Sequence, residues 1–253
     1  MNRPSASTPG ALAATIERLA FRAWPAAEER EVAGWMARFT PGVRNRRVNS
    51  ATSPLVDLAD HEAALDAIAA WYRERSARCV HRLLSPSPAA SDQLLAGRGW
   101  AADPATAVMV AEIGARPMPD GAAVTTAPDD GWIEAKRRVL GLGADEEAAW
   151  REAVDRVEPA AGFASVTVGS EVVAYGFSVV DGGWAGLFDL MVVPERRRRG
   201  HGAKLVAALL AWAAGCGAER SYLQVMVDNG PARVLYDRFG YEIGYRYWYR
   251  RAP

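Results

Sequence analysis

Little in this sequence invites metal or redox chemistry. Its 253 residues include two cysteines, Cys79 and Cys216, and three histidines, His61, His81 and His201. Two distant cysteines make neither a disulfide framework nor a metal-ligand pair, and no two histidines share helical ligand spacing. No metal is expected, and both cysteines read as reduced thiols in or near the core. An excess of charge of one sign is missing too. Lys plus Arg number 30 and Asp plus Glu number 30, so global charge draws the chain neither to nucleic acid nor to an anionic membrane. No apolar run reaches the ~18 residues of a membrane span. The N-terminus lacks the apolar stretch and cleavage site of a leader. The chain therefore reads as soluble and cytoplasmic, a monomer or homodimer, with no nucleic-acid or membrane partner. Half its residues are hydrophobic and 24% are charged, a balance compatible with a buried core in one large domain or two smaller ones.

Residues 1–11 are rich in Ser, Pro and Gly and read as a disordered N-terminus. A helix is predicted from Leu12 to Trp24, a strand from Gly34 to Phe39, and an amphipathic helix from Asp60, a plausible N-cap, to Ser76. A strand in "RCVHRLL", a helix ending at Gly97 or Gly99, and a strand over Ala107–Ile113 follow. "GARPMPDGAAVTTAPDDG" then breaks the periodicity, and a domain boundary falls there, near residue 118. The expected domains are thus 12–117 and 118–253. A helical section over Asp130–Arg156 precedes three strands turning at Gly169-Ser170 and Asp181-Gly182-Gly183. A helix over Gly202–Ala214, the strand "SYLQVMV", a helix in "GPARVLYDRFG" and the strand "YEIGYRYWYR" close the chain. The order β-β-β-loop-α-β-α-β points to an α/β (α+β) fold with a mixed sheet and helices on its faces.

Four consecutive arginines stand in "PERRRRGHGAKL", Pro194 to Leu205, between an apolar strand and a helix. A glycine-containing loop at a helix N-terminus offers unpaired amides backed by the helix dipole. That is an anion site, and Gly200 and Gly202 let a phosphate approach the backbone. A Walker loop would need Gly-Lys-Ser/Thr, and a dinucleotide fingerprint would need glycine where Leu205 stands. Nucleic-acid binding by the arginines would want interleaved aromatics, which are absent.

The pattern Arg197-x-x-Gly200-x-Gly202 resembles the R/Q-x-x-G-x-G/A pyrophosphate loop of the GNAT superfamily of acyl-CoA N-acyltransferases. A second match lies downstream, at Asn229, Ala232, Leu235-Tyr236 and Gly240-Tyr241, in family order and spacing. The resemblance covers about residues 122 to 253. It implies acetyl transfer from acetyl-CoA, as co-substrate, to an amine by direct attack in a ternary complex. Backbone groups of Leu190, Met191 and Val192 would meet the pantetheine arm. The loop Arg197, Arg198, Arg199, Gly200, His201, Gly202 and Ala203 would hold the pyrophosphate. Asn229 would contact the pantetheine, or alternatively only cap a helix. Tyr236 would protonate the leaving thiolate, since a phenol keeps its proton at neutral pH. Where some relatives place a glutamate base, this sequence has Gln224. Asp189, a lone carboxylate in an apolar strand and on the same face as Met191 by alternation, is the substitute base or else a structural acid; a water chain is the third option.

The acceptor is a small-molecule amine or amino acid, with a protein lysine or N-terminus as the alternative, and a non-catalytic acyl-CoA sensor as the reading from another class. The end of the first half echoes the second. Aligning Gly99-Trp100 with Gly240-Tyr241 puts Leu95 at Tyr236 and Pro88 at Asn229, as in a degenerate GNAT-like N-terminal half that has lost its cofactor site. Trp35, Arg44, Arg46, Arg47 and Asn49 are candidates for an acceptor-side wall, or simply stabilise the N-terminal sheet.

Overall fold

The computed structural model describes residues 8–253. In chain order the elements are α1 (Pro9–Ala23), β1 (Glu28–Val32), β2 (Trp35–Phe39), β3 (Ala51–Thr52), α2 (His61–Glu74), β4 (Val80–Leu84), α3 (Ala90–Gly97), β5 (Ala101–Ala102) and β6 (Thr106–Glu112). They continue with β7 (Ala122–Thr125), α4 (Asp130–Leu140), α5 (Ala144–Asp155), β8 (Ala160–Val168), β9 (Glu171–Asp181), β10 (Trp184–Val192), α6 (His201–Gly215), β11 (Arg220–Met226), α7 (Gly230–Asp237) and β12 (Glu242–Arg251). The expected disordered tail falls mostly on residues 1–7, outside the described residues. Residues 9–11 are helical instead. The Thr8 hydroxyl accepts from Ala11 N (3.3 Å) and Pro9 opens the first turn, where its missing N–H costs nothing.

Two compact units emerge. One holds the chain through Val108, the short stretch Met226–Asp228 and the segment Ile243–Pro253; the other holds Met109–Val225 and Asn229–Glu242. We call them the N-terminal and C-terminal units. The division falls inside β6 rather than near residue 118, and the last strand joins the first unit. The reason is strand pairing: β12 runs antiparallel to β4, Tyr247 opposite Leu84 through Arg251 opposite Val80. Composition cannot report a pairing between segments so far apart.

Both units carry mixed sheets. In the N-terminal unit β1, β2 and β3 are joined antiparallel, β3 and β4 parallel, and β4 and β12 antiparallel. In the C-terminal unit β7, β8, β9 and β10 form an antiparallel meander, and β10 pairs parallel with β11. A mixed α/β fold is therefore present, as expected. Helix α6 buries Leu205, Val206, Leu209 and Leu210 against β8, β9 and β10, each large side chain contributing about 1.5–3 kcal/mol of transfer free energy. Its Trp212 lies flat where Gly162 leaves room; a Cβ there would meet the indole at 2.5 Å. Among the described residues no helix is long and apolar enough to cross a membrane, and no group of three His, Cys, Asp or Glu is placed to hold a metal ion.

The two halves repeat an element order: three strands, then helix, strand, helix, strand. The repeat extends to hydrogen bonds. Trp100 N donates to Leu95 O (3.0 Å) past Gly99 (φ 77°), and Tyr241 N donates to Tyr236 O (3.2 Å) past Gly240 (φ 79°). Both glycines close their helices in the left-handed region that residues with a Cβ resist. The cysteines divide: Cys79 is half-buried, whereas Cys216, expected near the core, is exposed just beyond α6.

Candidate active site

The decisive strand is β10. It pairs with β11 only from Trp184–Arg220 to Leu187–Leu223. Beyond that point the two strands have no paired residues, although β10 runs to Val192 and β11 to Met226. The main chain of Leu190, Met191 and Val192 is thus left without a strand partner on that side, and all three side chains are half-buried. Towards β9 the ladder is irregular over the same stretch. Phe188 faces Phe177, but Met191 faces Tyr175. Three steps along β10 match two along β9, so β10 carries a bulge of one extra residue. Gly176 sits opposite it; a Cβ there would lie 2.8 Å from Leu190 Cδ2 and 3.3 Å from the Phe188 carbonyl. The indole N–H of Trp132 donates to the Gly176 carbonyl (3.2 Å).

The bulge overturns one expectation. Strict alternation put Asp189 on the face of Met191; the extra residue breaks that phase. Asp189 adopts φ 50°, a conformation costing about 1–3 kcal/mol that persists where surroundings enforce it. Its Oδ2 accepts from Lys136 Nζ at 2.5 Å. Lys136 is one of two lysines in the chain, buried on α4, with its ammonium 4.6 Å from the centre of the Trp150 ring and 5.5 Å from that of Trp132. Tyr175 closes the group: its ring meets Trp132 edge-on at 5.0 Å, and burial together with the Asp189 charge pushes its phenol pKa up. Asp189 therefore has the structural role as its observed contact, with a carboxylate still 18% exposed. Lys136, Trp132, Trp150 and Tyr175 escaped the sequence reading. The one signal was Gly176 inside the apolar run "VVAYGFSVV", the mark of a bulge or close approach.

Past Val192 the chain makes a short 3-10 turn, Pro194–Arg196, and enters α6. Arg198 (φ 63°) and Gly200 (φ 82°) are both left-handed. Gly200 is the N-cap of α6 and supplies no side-chain cap, so the amides of the first turn, His201, Gly202 and Ala203, lack intrahelical acceptors. Space beside Gly200 is open, with nothing within 4 Å of a Cβ built there. Gly202 is different: a Cβ would lie 3.2 Å from Leu235 Cδ2 and 3.6 Å from Val192 Cγ2. At Gly202 the end of β10, the start of α6 and helix α7 converge. The arginines do not act alike. Arg196 pairs with Glu171 (2.6 Å), Arg197 Nε folds back onto the Val192 carbonyl (3.2 Å), and Arg198 and Arg199 are exposed. Burial, then the charges of Lys204, Arg199 and Arg196, hold the His201 imidazole below its ordinary pKa.

Asn229 is the N-cap of α7, its Oδ1 accepting from Ala232 N (3.3 Å). Two turns on, Tyr236 is buried with its ring 6.0 Å from that of Tyr241. Burial raises the Tyr236 phenol pKa to about 12. Tyr241 is held by Ser221 (2.6 Å), so it is Tyr236 that keeps an uncommitted, protonated hydroxyl.

These features together form a splayed strand that delivers an open backbone to an anion-ready helix N-terminus, with a protonated phenol on the adjoining helix. A family model described as "Probable histone acetyltransferase Rv0428c C-terminal" matches residues 13–250. The chain belongs to that family. It is an acetyltransferase with the GCN5-related N-acetyltransferase (GNAT) fold. Among its relatives is a protein of Bacillus subtilis (strain 168) named Uncharacterized N-acetyltransferase YobR, 28% identical over 233 residues, covering 89% of this chain and 93% of that protein. The mycothiol acetyltransferase of Clavibacter michiganensis subsp. michiganensis is 33% identical over 150 residues, 55% of this chain and 49% of that protein. Among solved structures, a GCN5-related N-acetyltransferase from Kribbella flavida superposes with a TM-score of 0.71 at 17% identity, over 98% of this chain and 97% of that one.

Proposed function

We propose that this acetyltransferase moves the acetyl group of acetyl-CoA to a primary amine of a small molecule or amino acid, by direct attack in a ternary complex. One observation carries the reading: the divergence of β10 from β11 at Leu187–Leu223, followed at once by the glycine loop at the start of α6. An extended pantetheine arm can add to the backbone of Leu190–Val192 as a strand would. The amides from Arg198 to Ala203 then meet the pyrophosphate, with Arg198 and Arg199 adding charge. Arg197 stiffens the loop through the Val192 carbonyl. Asn229 caps α7 with its oxygen and turns its amide group to the cofactor.

In the chemical step the amine nitrogen bonds to the thioester carbon and the C–S bond breaks. Tyr236 gives its proton to the departing sulfur, and its raised pKa keeps that proton in place beforehand. The ammonium loses its proton to Asp189, directly or through water, with Lys136 holding the carboxylate at the bulge. Gln224 takes no proton. The N-terminal unit is a degenerate copy of the same fold: the matching bonds at Gly99-Trp100 and Gly240-Tyr241 and the parallel pairing of β3 with β4 support this, while Leu95 and Pro88 stand where Tyr236 and Asn229 would. A cytoplasmic monomer or homodimer fits this reading.

The test follows CoA release with a panel of amino acids, small amines and a histone-tail peptide. Tyr236→Phe is expected to lower kcat by roughly 10²-fold with little change in the KM for acetyl-CoA. Unchanged turnover removes Tyr236 as the acid. Faster turnover of the peptide than of every small amine overturns the acceptor class in favour of protein.

A further inference from the structure

The N-terminal unit contains a pocket of about 390 Å³ that the transfer chemistry does not use. Its polar wall is built from three distant segments. Arg46 opens a 3-10 turn whose geometry is fixed by Asn45, which caps it through Arg47 N (2.9 Å), and by Ser50 Oγ on the Arg46 carbonyl (2.7 Å). Asp103 follows β5 and is tied by its N–H to the Tyr249 carbonyl (2.9 Å). Tyr249 and Arg251, two apart on β12, share a face. Val227 N on the Ala105 carbonyl (2.9 Å) fixes the stretch that supplies Met226.

The charges do not balance. The Asp103 carboxylate receives Arg46 Nη1 and, from Arg251, Nε at 2.8 Å and Nη2 at 2.7 Å. Burial opposes ionisation of Asp103, but the hydrogen bonds and charges of the two arginines hold its pKa below the usual value. Two guanidiniums therefore share one carboxylate, leaving one positive charge in excess in a concavity. Arg46 and Arg251 are 45% and 46% exposed, Asp103 only 13%. The anion is thus tucked in and the cations face outward. Each guanidinium has five N–H donors in a fork that suits a carboxylate, and Asp103 occupies only some of them. The Arg46 guanidinium lies 4.3 Å from the centre of the Tyr249 ring, which fixes its plane. Beside this polar wall stand the Thr106 hydroxyl and the Met226 side chain, a large apolar group that is 48% exposed.

We propose that this pocket is a binding site for a small monocarboxylate with an apolar tail. Its carboxylate bridges Arg46 and Arg251, and its tail lies on Met226. A monoanion matches the single excess charge, whereas Asp103 repels a phosphate dianion. None of its lining residues carries a role in the transfer step proposed above, and its test reads binding rather than turnover.

Hexanoate, hexanamide and inorganic phosphate are titrated separately into the full-length protein, followed by ligand-observed NMR and calorimetry. Saturable hexanoate binding is expected, with none for hexanamide. Arg46→Ala should weaken it by roughly tenfold. Asp103→Asn should tighten it, because the excess charge rises from one to two. Met226→Ser, which removes the apolar surface and adds no charge beside the arginines, should weaken it by roughly tenfold. Circular dichroism checks each fold, and Arg46→Lys replaces Arg46→Ala if the latter is unfolded. No saturable hexanoate binding, equal binding of hexanamide, or indifference to Arg46 and Met226 overturns the proposal. Phosphate binding more tightly than hexanoate overturns the carboxylate assignment.

Discussion

Asp189→Asn is the most informative single change in this molecule. It removes the anion from a pair whose cation, Lys136, is 4% exposed and lies 2.5 Å away. An ammonium left buried without its partner costs about 3–5 kcal/mol. The Trp150 and Trp132 rings, 4.6 and 5.5 Å from Lys136 Nζ, return on the order of 1 kcal/mol. The expected loss is therefore about 2–4 kcal/mol, a large share of the roughly 5–15 kcal/mol that holds a typical domain folded. Lys136→Met should cost less, about 1–2 kcal/mol, because the remaining carboxylate is 18% exposed and water can reach it. The double variant Lys136→Met/Asp189→Asn should return to within about 1 kcal/mol of the parent, since a well-packed apolar replacement of a buried pair is often neutral. Denaturant unfolding of all four proteins measures the coupling directly. The cycle also separates packing from chemistry: the double variant should regain stability without regaining turnover if Asp189 accepts the proton. An Asp189→Asn variant less than about 1 kcal/mol below the parent refutes the assignment of a buried, mutually dependent pair.

Two other outcomes follow from particular residues. His81 lies edge-on to Trp35 (5.2 Å) and Trp100 (4.8 Å), and burial, then the Arg98 charge, lowers its pKa to about 3. The unfolded chain takes up a proton near pH 6.5 that the folded chain refuses. Stability is therefore intact above that pH and falls as pH drops towards 3, by about 1.4 kcal/mol per unit. Unfolding at pH 7 and pH 5 should differ by about 2 kcal/mol from this group, and His81→Phe should remove that part of the slope. Gly176→Ala sets a methyl group against Leu190 and the Phe188 carbonyl. It should destabilise the C-terminal unit by about 1–3 kcal/mol and weaken acetyl-CoA binding by shifting the bulge, measured by thermal unfolding and calorimetry; unaltered binding argues against the bulge as the source of the open backbone.

Much of the site was legible from local pattern. The strand-loop-helix context of Arg197–Gly202, the Asn229–Tyr236 spacing and the three-strand meander are all encoded by neighbours in sequence. Gly240 after α7 and Asp60 before α2 were readable for the same reason. What escaped was long-range. Lys136 and Asp189 are 53 residues apart, and nothing in the periodicity of α4 says which carboxylate its lysine will meet. The bulge changed the facing of Asp189 because alternation assumes an unbroken ladder. The polar edge strand β1, "EEREV", and the short β7 were missed because strands paired mainly on one side carry little apolar signal. The helical section over 130–156 is two helices, parted at Gly141 in its left-handed conformation. Of the proposed acceptor-side residues, Trp35 is wholly buried and Asn49 is spent on Thr40 N (2.9 Å) and the Val43 carbonyl (2.7 Å), whereas Arg46 faces a pocket.

In the proposed function the amides between β10 and α6 bind the pyrophosphate of acetyl-CoA. Calorimetric titration of acetyl-CoA into the parent and into Gly200→Glu tests it most directly. Nothing lies within 4 Å of a Cβ at Gly200, so the new side chain fits sterically; it adds about 1–2 kcal/mol of left-handed strain and a negative charge at the anion site. One acetyl-CoA bound per parent chain and none by the folded variant are the expected results. A parent that does not bind, or a variant that binds as tightly, contradicts that role of the amides.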